Sequence, residues 1–218
     1  MVSTSAPRGP HRSGIHAHTS QNGSQFSRIS YMGRHARHGC VWTHDREAVS
    51  DSTELFRHEE VVIRRLQPRD CVPLARFFCE NNRPKVVRYF NPFPLDEEAA
   101  RRITESTGRD RYYAAFCRGE VVGMCMLRGW DEGFDVPSLG VLVDHRCSGR
   151  GLGKALTEFC VSTAKREGCP AIRLSVFLSN IRALRLYKCL GFREVERQST
   201  EIRGEQDIRV VMMKGTDR

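Results

Sequence analysis

Between residues 60 and 215, apolar and polar positions follow two different periods along the chain. Runs that are β-branched or that alternate with a period of two predict strands. These runs lie at 60–70 (ending in a proline turn), 112–117, 121–130, 138–144, 171–177, 192–198 and 207–215. The second and third runs are joined across Arg118-Gly119-Glu120, which predicts a β-hairpin.

Apolar residues three or four positions apart predict helices between these strands. The helical segments are 70–82, 95–106, 151–168 and 180–192. Asp70 is placed to cap the first of them, and Gly168 to end the third. Strands that first pair in hairpins and then flank helices predict an α/β fold. We expect a mixed, mostly antiparallel central sheet of six to seven strands with about four helices.

The first 55 residues differ from the rest of the chain. They are rich in Ser, Gly, His and Arg, and they contain few apolar residues. Such a composition buries too little apolar surface to offset the entropy lost on ordering. We therefore expect residues 1–55 to be a disordered extension and residues 56–218 to form the folded domain.

Composition and charge narrow the classes of partner. The 218 residues carry a formal net charge of +9, which suits nucleic acid, a membrane surface or a phosphorylated cofactor. The basic residues are scattered without a nucleic-acid-binding signature, so nucleic acid is disfavoured. No apolar run approaches the roughly 18 residues that span a bilayer, so no membrane partner is expected. Nine cysteines without a C-x-x-C pair favour a reduced, cytoplasmic protein without a metal site.

A glycine-rich turn at 149–153 lies between a predicted strand and a predicted helix. The free N–H groups and the dipole of a helix N-terminus attract anions, phosphate above all. The spacing Gly149, Gly151, Gly153 fits neither the dinucleotide fingerprint nor the Walker A loop, in which a hydroxyl residue would follow Lys154. The expected phosphate is therefore not that of NAD or ATP.

Two motifs resemble those of the GNAT superfamily of acyl-CoA N-acyltransferases. The turn follows that family's R/Q-x-x-G-x-G/A pattern at Gly151 and Gly153, although Ser148 stands at the leading Arg or Gln. The family's downstream pattern N-x-x-A-x-x-x-Y-x-x-x-G-F is matched at Asn180, Ala183, Tyr187, Gly191 and Phe192.

The resemblance implies that acetyl-CoA is a co-substrate, bound where the strands 138–144 and 171–177 splay apart. It also implies that Asn180 contacts the pantetheine arm and that Tyr187 is the general acid beside the thioester sulfur. The residues expected to bind acetyl-CoA are Val141, Leu142, Val143, Ser148, Gly149, Arg150, Gly151, Gly153, Lys154 and Asn180. The alternative for Tyr187 is a purely structural role, because it shares a helical face with Ile181, Leu184 and Leu190.

The general base is left open. An ammonium group must lose a proton before it can attack a thioester. Glu132, in the segment between the hairpin and the strand 138–144, is our candidate for the base. Asp131, Asp135, His145 and a chain of water molecules are the alternatives.

Two segments, 88–94 and 128–134, place aromatic residues near carboxylates, which suits a cationic amine or the face of an amino sugar. We therefore expect an N-acetyltransferase that moves the acetyl group of acetyl-CoA to a primary amine by direct attack in a ternary complex. The expected acceptor is a small molecule such as an amino sugar. A non-catalytic acyl-CoA-binding module and a protein (Lys or N-terminal) acetyltransferase are the alternatives, and a homodimer is compatible with the sequence.

Overall fold

The computed structural model describes residues 17–18, 26–30, 60–202 and 204–216. The strands in chain order are β1 (Ala17–His18), β2 (Phe26–Ser30), β3 (Glu60–Arg65), β4 (Arg111–Cys117), β5 (Glu120–Arg128), β6 (Ser138–Val143), β7 (Ala171–Phe177), β8 (Arg193–Ile202) and β9 (Glu205–Gly215). They form one open sheet in the order β1-β2-β3-β4-β5-β6-β7-β9-β8.

The pairing confirms a mixed, mostly antiparallel sheet, with seven strands between residues 60 and 215. Only β6 and β7 run parallel among the described pairs. The predicted hairpin is β4–β5, whose turn places Arg118 at φ +49° and Gly119 at φ +82°. These left-handed values match the right-handed twist of the flanking strands.

Two short strands fall within the segment for which the sequence predicts disorder. Phe26–Ser30 pairs antiparallel with Glu60–Arg65, and Ala17–His18 pairs with Phe26–Ser30. The rest of residues 1–55 lies outside the described residues. The predicted domain boundary at residue 56 therefore stays a prediction.

The described α-helices are α1 (Cys71–Asn81), α2 (Pro84–Val87), α3 (Glu97–Thr104), α4 (Leu152–Arg166) and α5 (Ile181–Cys189). All four predicted helices are present, and the single turn α2 was not predicted because four residues are too few to show a helical period. Within the described residues, no helix combines the length and apolar content needed to cross a bilayer.

Asp70 occupies the predicted N-cap position of α1, but the prediction that its side chain caps the helix is wrong. Asp70 directly precedes the helix, but its carboxylate does not accept a hydrogen bond from the first helical turn. It instead accepts hydrogen bonds from Arg64 at 2.6 and 2.7 Å and from the amide of Gln67 at 2.9 Å. The partly buried Arg64 of β3 outcompetes the helix amides because a charge-assisted, two-pronged hydrogen bond is stronger than a neutral one.

The sheet has a hydrophobic core on each face. The helix α4 covers one face, where Leu156 and Cys160 pack with Cys125. The helices α1 and α3 cover the other face, where Leu74 packs with Met124. Neighbouring residues of β5 thus enter opposite cores, which explains why that strand is a continuous apolar run.

The strands β6 and β7 separate almost as soon as they meet. Their only registered pair is Ser138 with Arg173, supported by a hydrogen bond from the amide of Arg173 to the carbonyl of Pro137 at 3.0 Å. The strand β6 is paired along its length with β5, and β7 with β9. The sheet therefore consists of two fully paired halves that diverge from one point.

Directly after β6, Asp144 holds the chain in a sharp turn. Its carboxylate is fully buried and accepts hydrogen bonds from the backbone amide of Arg146 at 2.8 Å and from its guanidinium at 2.8 and 3.0 Å. Burial alone would raise the pKa of Asp144, but the hydrogen bonds from Arg146 outweigh it, and the pKa is lowered. The ionised carboxylate therefore stabilises the fold.

We expect Asp144→Asn to lower the free energy of unfolding by about 2 kcal/mol at pH 7. Because the folded-state pKa lies below that of the unfolded chain, this contribution is complete above about pH 4 and is lost as the pH falls through the folded-state pKa. The deficit of the variant should therefore shrink in acid, which urea unfolding at pH 7 and pH 3 will measure. Asp135→Asn, at an exposed position, is the control, and a deficit that persists unchanged at pH 3 would contradict the assignment.

Candidate active site

The divergence of β6 and β7 opens a cavity of about 610 Å³. Its walls come from both strands, from α5 and from the segment 85–92. Six of the residues that the sequence predicts for acetyl-CoA chemistry line it, namely Val141, Leu142, Val143, Ser148, Asn180 and Tyr187. Residues from three separate parts of the chain are thus brought together at this gap.

The edge of β6 that faces the gap supplies free backbone groups. In a strand, successive N–H and C=O groups point alternately to the two neighbouring strands. The strand β5 pairs with one of these two sets of backbone groups along the whole of β6. Among the described residues, β7 pairs with the other set only at Ser138. The remaining donors and acceptors on this edge are available to an extended ligand.

Residues 148–153, which we call the glycine loop, lead from the turn at Asp144 into α4. Gly149 and Gly151 have φ values of +92° and +86°, which an L side chain rarely adopts. Gly151 is the N-cap of α4 and has no side chain with which to accept a hydrogen bond from the first turn. The amides of Leu152, Gly153 and Lys154 therefore remain open at the positive end of a 15-residue helix.

Arg182, which the sequence analysis did not identify, lies against this loop. Its guanidinium donates a hydrogen bond to the hydroxyl of Ser148 at 2.8 Å. A Cβ atom added at Gly149 would lie 3.0 Å from the guanidinium. The cation on α5 thus reaches the position where the resemblance leads us to expect Arg or Gln. The one sequence signal for Arg182 was the absence of a basic residue at position 148. That signal did not point to Arg182, because 34 residues separate Arg182 from Ser148.

The helix α5 presents Tyr187 to the cavity. The side chain of Asn180 caps this helix by accepting a hydrogen bond from the amide of Ala183 at 3.3 Å. The Tyr187 ring packs edge-on against Phe192, with 5.8 Å between ring centroids. Burial raises the pKa of Tyr187 to about 12, so the hydroxyl is protonated throughout the neutral range.

The sequence-based alternative for Tyr187 rested on an apolar face of α5. That face is only partly used, because Ile181 is 57% exposed and no residue of α5 is fully buried. Tyr187 is itself partly buried and packs beside the α4-side core. The residue therefore borders both the core and the cavity.

The structure does not bring Glu132 to the cavity. Its carboxylate is exposed on the turn after β5 and lies 3.9 Å from the guanidinium of Arg128. Asp131 accepts a hydrogen bond from the amide of Arg109, and His145 donates its amide to Asn81 at 3.0 Å. None of these groups lines the cavity, and neither does the exposed Asp135. The geometry gives no support to any of the four as a base.

The two aromatic segments expected at the acceptor side have different fates. The segment 88–94 lies at the cavity, where Tyr89 and Phe90 form part of the wall. In the segment 128–134, Trp130 is buried in the α4-side core, and the largely exposed Phe134 packs beside Gly129. Of the two segments, only 88–94 therefore borders the cavity. The segment 128–134 packs on the core instead, because the indole of Trp130 buries more apolar surface there than it would at the edge of the cavity.

The β8–β9 hairpin also contributes to this region of the structure. A second cavity of about 690 Å³ lies between its tip and the segment 87–95. The two cavities share five lining residues, so they are neighbours; these are Phe90, Asn91, Pro92, Phe177 and Arg209. Sequence reasoning found the strands of this hairpin but had no signal for where its tip would lie.

No group of three or more His, Cys, Asp or Glu residues with the geometry of a metal site is found in the described part of the chain. The chemistry available at the gap is that of open backbone amides, cations beside the glycine loop, and a protonated phenol. These are groups that hold phosphates, polarise a carbonyl and donate a proton.

Comparison with known proteins agrees with this arrangement. The model of the Acetyltransferase (GNAT) family matches residues 76–192. N-acetylaspartate synthetase of Rattus norvegicus is 32% identical over 84 residues, which are 38% of this chain and 28% of that protein. Spermine/spermidine N(1)-acetyltransferase of Bacillus subtilis is 30% identical over 105 residues, with coverage of 44% of this chain and 69% of that protein.

The solved structures give the same fold. The structure of yncA from Salmonella typhimurium with its cofactor acetyl-CoA has a TM-score of 0.61 at 20% identity, over 72% of this chain and 94% of that one. At this level of identity the likeness establishes the fold alone. Because the family model covers more than half of its length, the chain belongs to the GNAT acetyltransferase family.

Proposed function

We propose that the protein transfers the acetyl group of acetyl-CoA to a primary amine of a small molecule. The observation that carries this proposal is the gap between β6 and β7, whose lining includes Ser148 of the glycine loop and Tyr187 of α5. Membership in the GNAT family and the acetyl-CoA in the yncA structure support it.

Acetyl-CoA fits the groups present. The open amides of Leu152, Gly153 and Lys154 would bind the pyrophosphate, with Ser148, Arg150 and Arg182 beside them. The free edge of β6 at Val141, Leu142 and Val143 would pair with the amides of the pantetheine arm, together with Asn180. One amide of this edge would also polarise the thioester carbonyl.

The transfer needs no base side chain in the cavity. The ammonium group loses one proton to water, and the neutral amine attacks the thioester carbon to form the C–N bond. As the C–S bond breaks, the sulfur accepts the proton of the Tyr187 hydroxyl. The phenolate then recovers a proton from the nitrogen, which becomes a neutral amide. The pKa of about 12 keeps Tyr187 protonated before each cycle.

Contacts across the acceptor side favour a small molecule over a protein. Arg88, which follows α2, forms an ion pair with Glu205 on the β8–β9 hairpin. Ser179 donates a hydrogen bond to Asp207 on the hairpin and lies 3.3 Å from the hydroxyl of Tyr89. These bridges join the segments that follow α2 and β7 to the β8–β9 hairpin, which borders the second cavity; we call this second cavity the acceptor cavity. A cavity beside such bridges leaves more room for a small molecule than for a folded protein.

The cofactor assignment predicts that acetyl-CoA raises the melting temperature through mass action, and that ATP and NAD raise it far less. The reason is the glycine loop, which opens amides for a phosphate but lacks both nucleotide motifs. Thermal denaturation of the full-length protein with each ligand at equal concentration will measure the shifts. Equal stabilisation by ATP would reject the assignment.

Arg182 should contribute to this binding. We expect Arg182→Gln to raise the Kd for acetyl-CoA about 10-fold, the order of one charge-assisted hydrogen bond to a phosphate. Calorimetric titration measures the Kd directly. Arg185→Gln, one turn further along α5 and exposed, is the matched control and should leave the Kd unchanged. Equal effects of the two variants would show only a loss of general positive charge.

The role of Tyr187 separates catalysis from binding alone. We expect Tyr187→Phe to lower kcat about 100-fold, the low end for a general acid, and to leave the Kd for acetyl-CoA unchanged. The phenylalanine ring keeps the packing against Phe192, so the melting temperature should barely move. Single-turnover transfer to an accepted amine measures the chemical step.

Glu132→Gln is the control for this experiment and should have normal turnover, because Glu132 lies outside the cavity. If Tyr187→Phe turns over normally, the phenol takes no part in proton transfer. If the unmodified protein binds acetyl-CoA but transfers to no amine, the alternative of a non-catalytic acyl-CoA-binding module gains support.

A further inference from the structure

Arg209 stands where the two cavities meet. It lies on β9 opposite Phe177 of β7, and its guanidinium is 5.7 Å from the centre of the Phe177 ring. Both residues line the cavity at the β6–β7 gap and the neighbouring cavity at the hairpin tip. A planar cation near an aromatic face is attracted to the ring and keeps its N–H donors for another partner.

Lys85 adds a second cation to the wall of the first cavity. It is exposed on α2, the helix that follows α1 at the acceptor side. No carboxylate oxygen of a described residue approaches the side-chain nitrogens of Lys85 or Arg209 within the 4.0 Å of an ion pair. Among the described residues, neither positive charge is therefore neutralised by an ion pair.

The acidic side chains in this region are already engaged. Glu205 pairs with Arg88. Asp207 accepts hydrogen bonds from the Ser179 hydroxyl and from the amide of Ile208, the latter at 2.7 Å. Burial raises the pKa of Asp207 less than these hydrogen bonds lower it, so it is ionised and satisfied.

The lining of the two cavities has the same bias. Among the described residues that line them, the only acidic one is Glu201. It is exposed near the tip of the hairpin and accepts a hydrogen bond from Gln206 at 3.3 Å. A polyamine would meet Lys85 in the first cavity and Arg209 at the junction of the two cavities, with little to attract its second ammonium group.

We propose that the acceptor is a primary amine that also carries an anionic group, a carboxylate or a phosphate, and that Arg209 and Lys85 bind this group. The inference rests on the acetyl transfer proposed above and names its substrate class. The anion would fix the acceptor at the junction of the cavities and direct its amine towards the β6–β7 gap. Arg209 supplies the geometric specificity, because its planar fork matches two oxygens of a carboxylate or phosphate.

The test compares acceptors that differ only in the anion, with the full-length protein and acetyl-CoA. The pairs are L-aspartate with its diamide and glucosamine 6-phosphate with glucosamine, and spermidine represents the polycations. We expect the anionic member of at least one pair to have a kcat/KM at least about 10-fold above its neutral partner, as one charge-assisted contact gives. The pair in which this occurs identifies the anion as carboxylate or phosphate.

Arg209→Gln should abolish this preference by raising KM for the anionic acceptor about 10- to 100-fold, with the Kd for acetyl-CoA unchanged. Arg209→Lys keeps the charge but not the fork, and it should recover part of the loss. Arg193→Gln, on the exposed surface of β8 outside both cavities, is the matched control and should behave like the unmodified protein.

The inference is overturned if, in both pairs, the neutral amine is acetylated at least as fast as its anionic partner, or if spermidine is acetylated faster than both anionic amines. A rise in the Kd for acetyl-CoA in Arg209→Gln also overturns it, because Arg209 would then bind the co-substrate. If no amine is acetylated, the inference fails, and the titration with acetyl-CoA decides whether the proposed function fails with it.

Discussion

The divergence of β6 from β7 after a single registered pair is the constraint on which the rest of the molecule depends. Each strand is fully paired on its outer side, so neither half of the sheet needs the other beyond Ser138 and Arg173. The backbone groups left unpaired face an open cavity rather than a dry core, and water satisfies them at little cost. The sheet can therefore hold a row of hydrogen-bonding groups ready for an extended ligand without being destabilised by them.

The glycine loop also leaves backbone hydrogen-bonding groups free for a ligand. A Ser or Asp at the N-cap of α4 would satisfy the first helical amides, whereas Gly151 leaves them open. The turn that positions this loop is held by Asp144, whose buried carboxylate is neutralised by Arg146. The negative charge of Asp144 is thus paired with Arg146, and the positive charge of Arg182 lies beside the glycine loop.

The acceptor side is built from segments that are distant in sequence. The segment after α1, the end of β7 and the β8–β9 hairpin meet there, joined by Arg88 with Glu205 and by Ser179 with Asp207. These contacts use most of the local negative charge for bridging. The chemical character of the acceptor cavity is consequently set by pairing between segments, because each carboxylate that forms a bridge is removed from the ligand's surroundings.

The sequence by itself determined the α/β class, the seven strands after residue 60, the four longer helices and the motifs at 148–153 and 180–192. These features depend on the local period of the apolar residues and on the spacing of the motifs, both of which are visible in the sequence itself. Only the tertiary structure decided that Trp130 enters the core, that Glu132 stays in solvent, and that Arg209 reaches the junction of the cavities. The local sequence around these three residues does not indicate whether a side chain lies in the core, in solvent or at a cavity. Its surroundings are chosen by strand order and by competition for burial and ion pairing, which act between residues far apart in the chain.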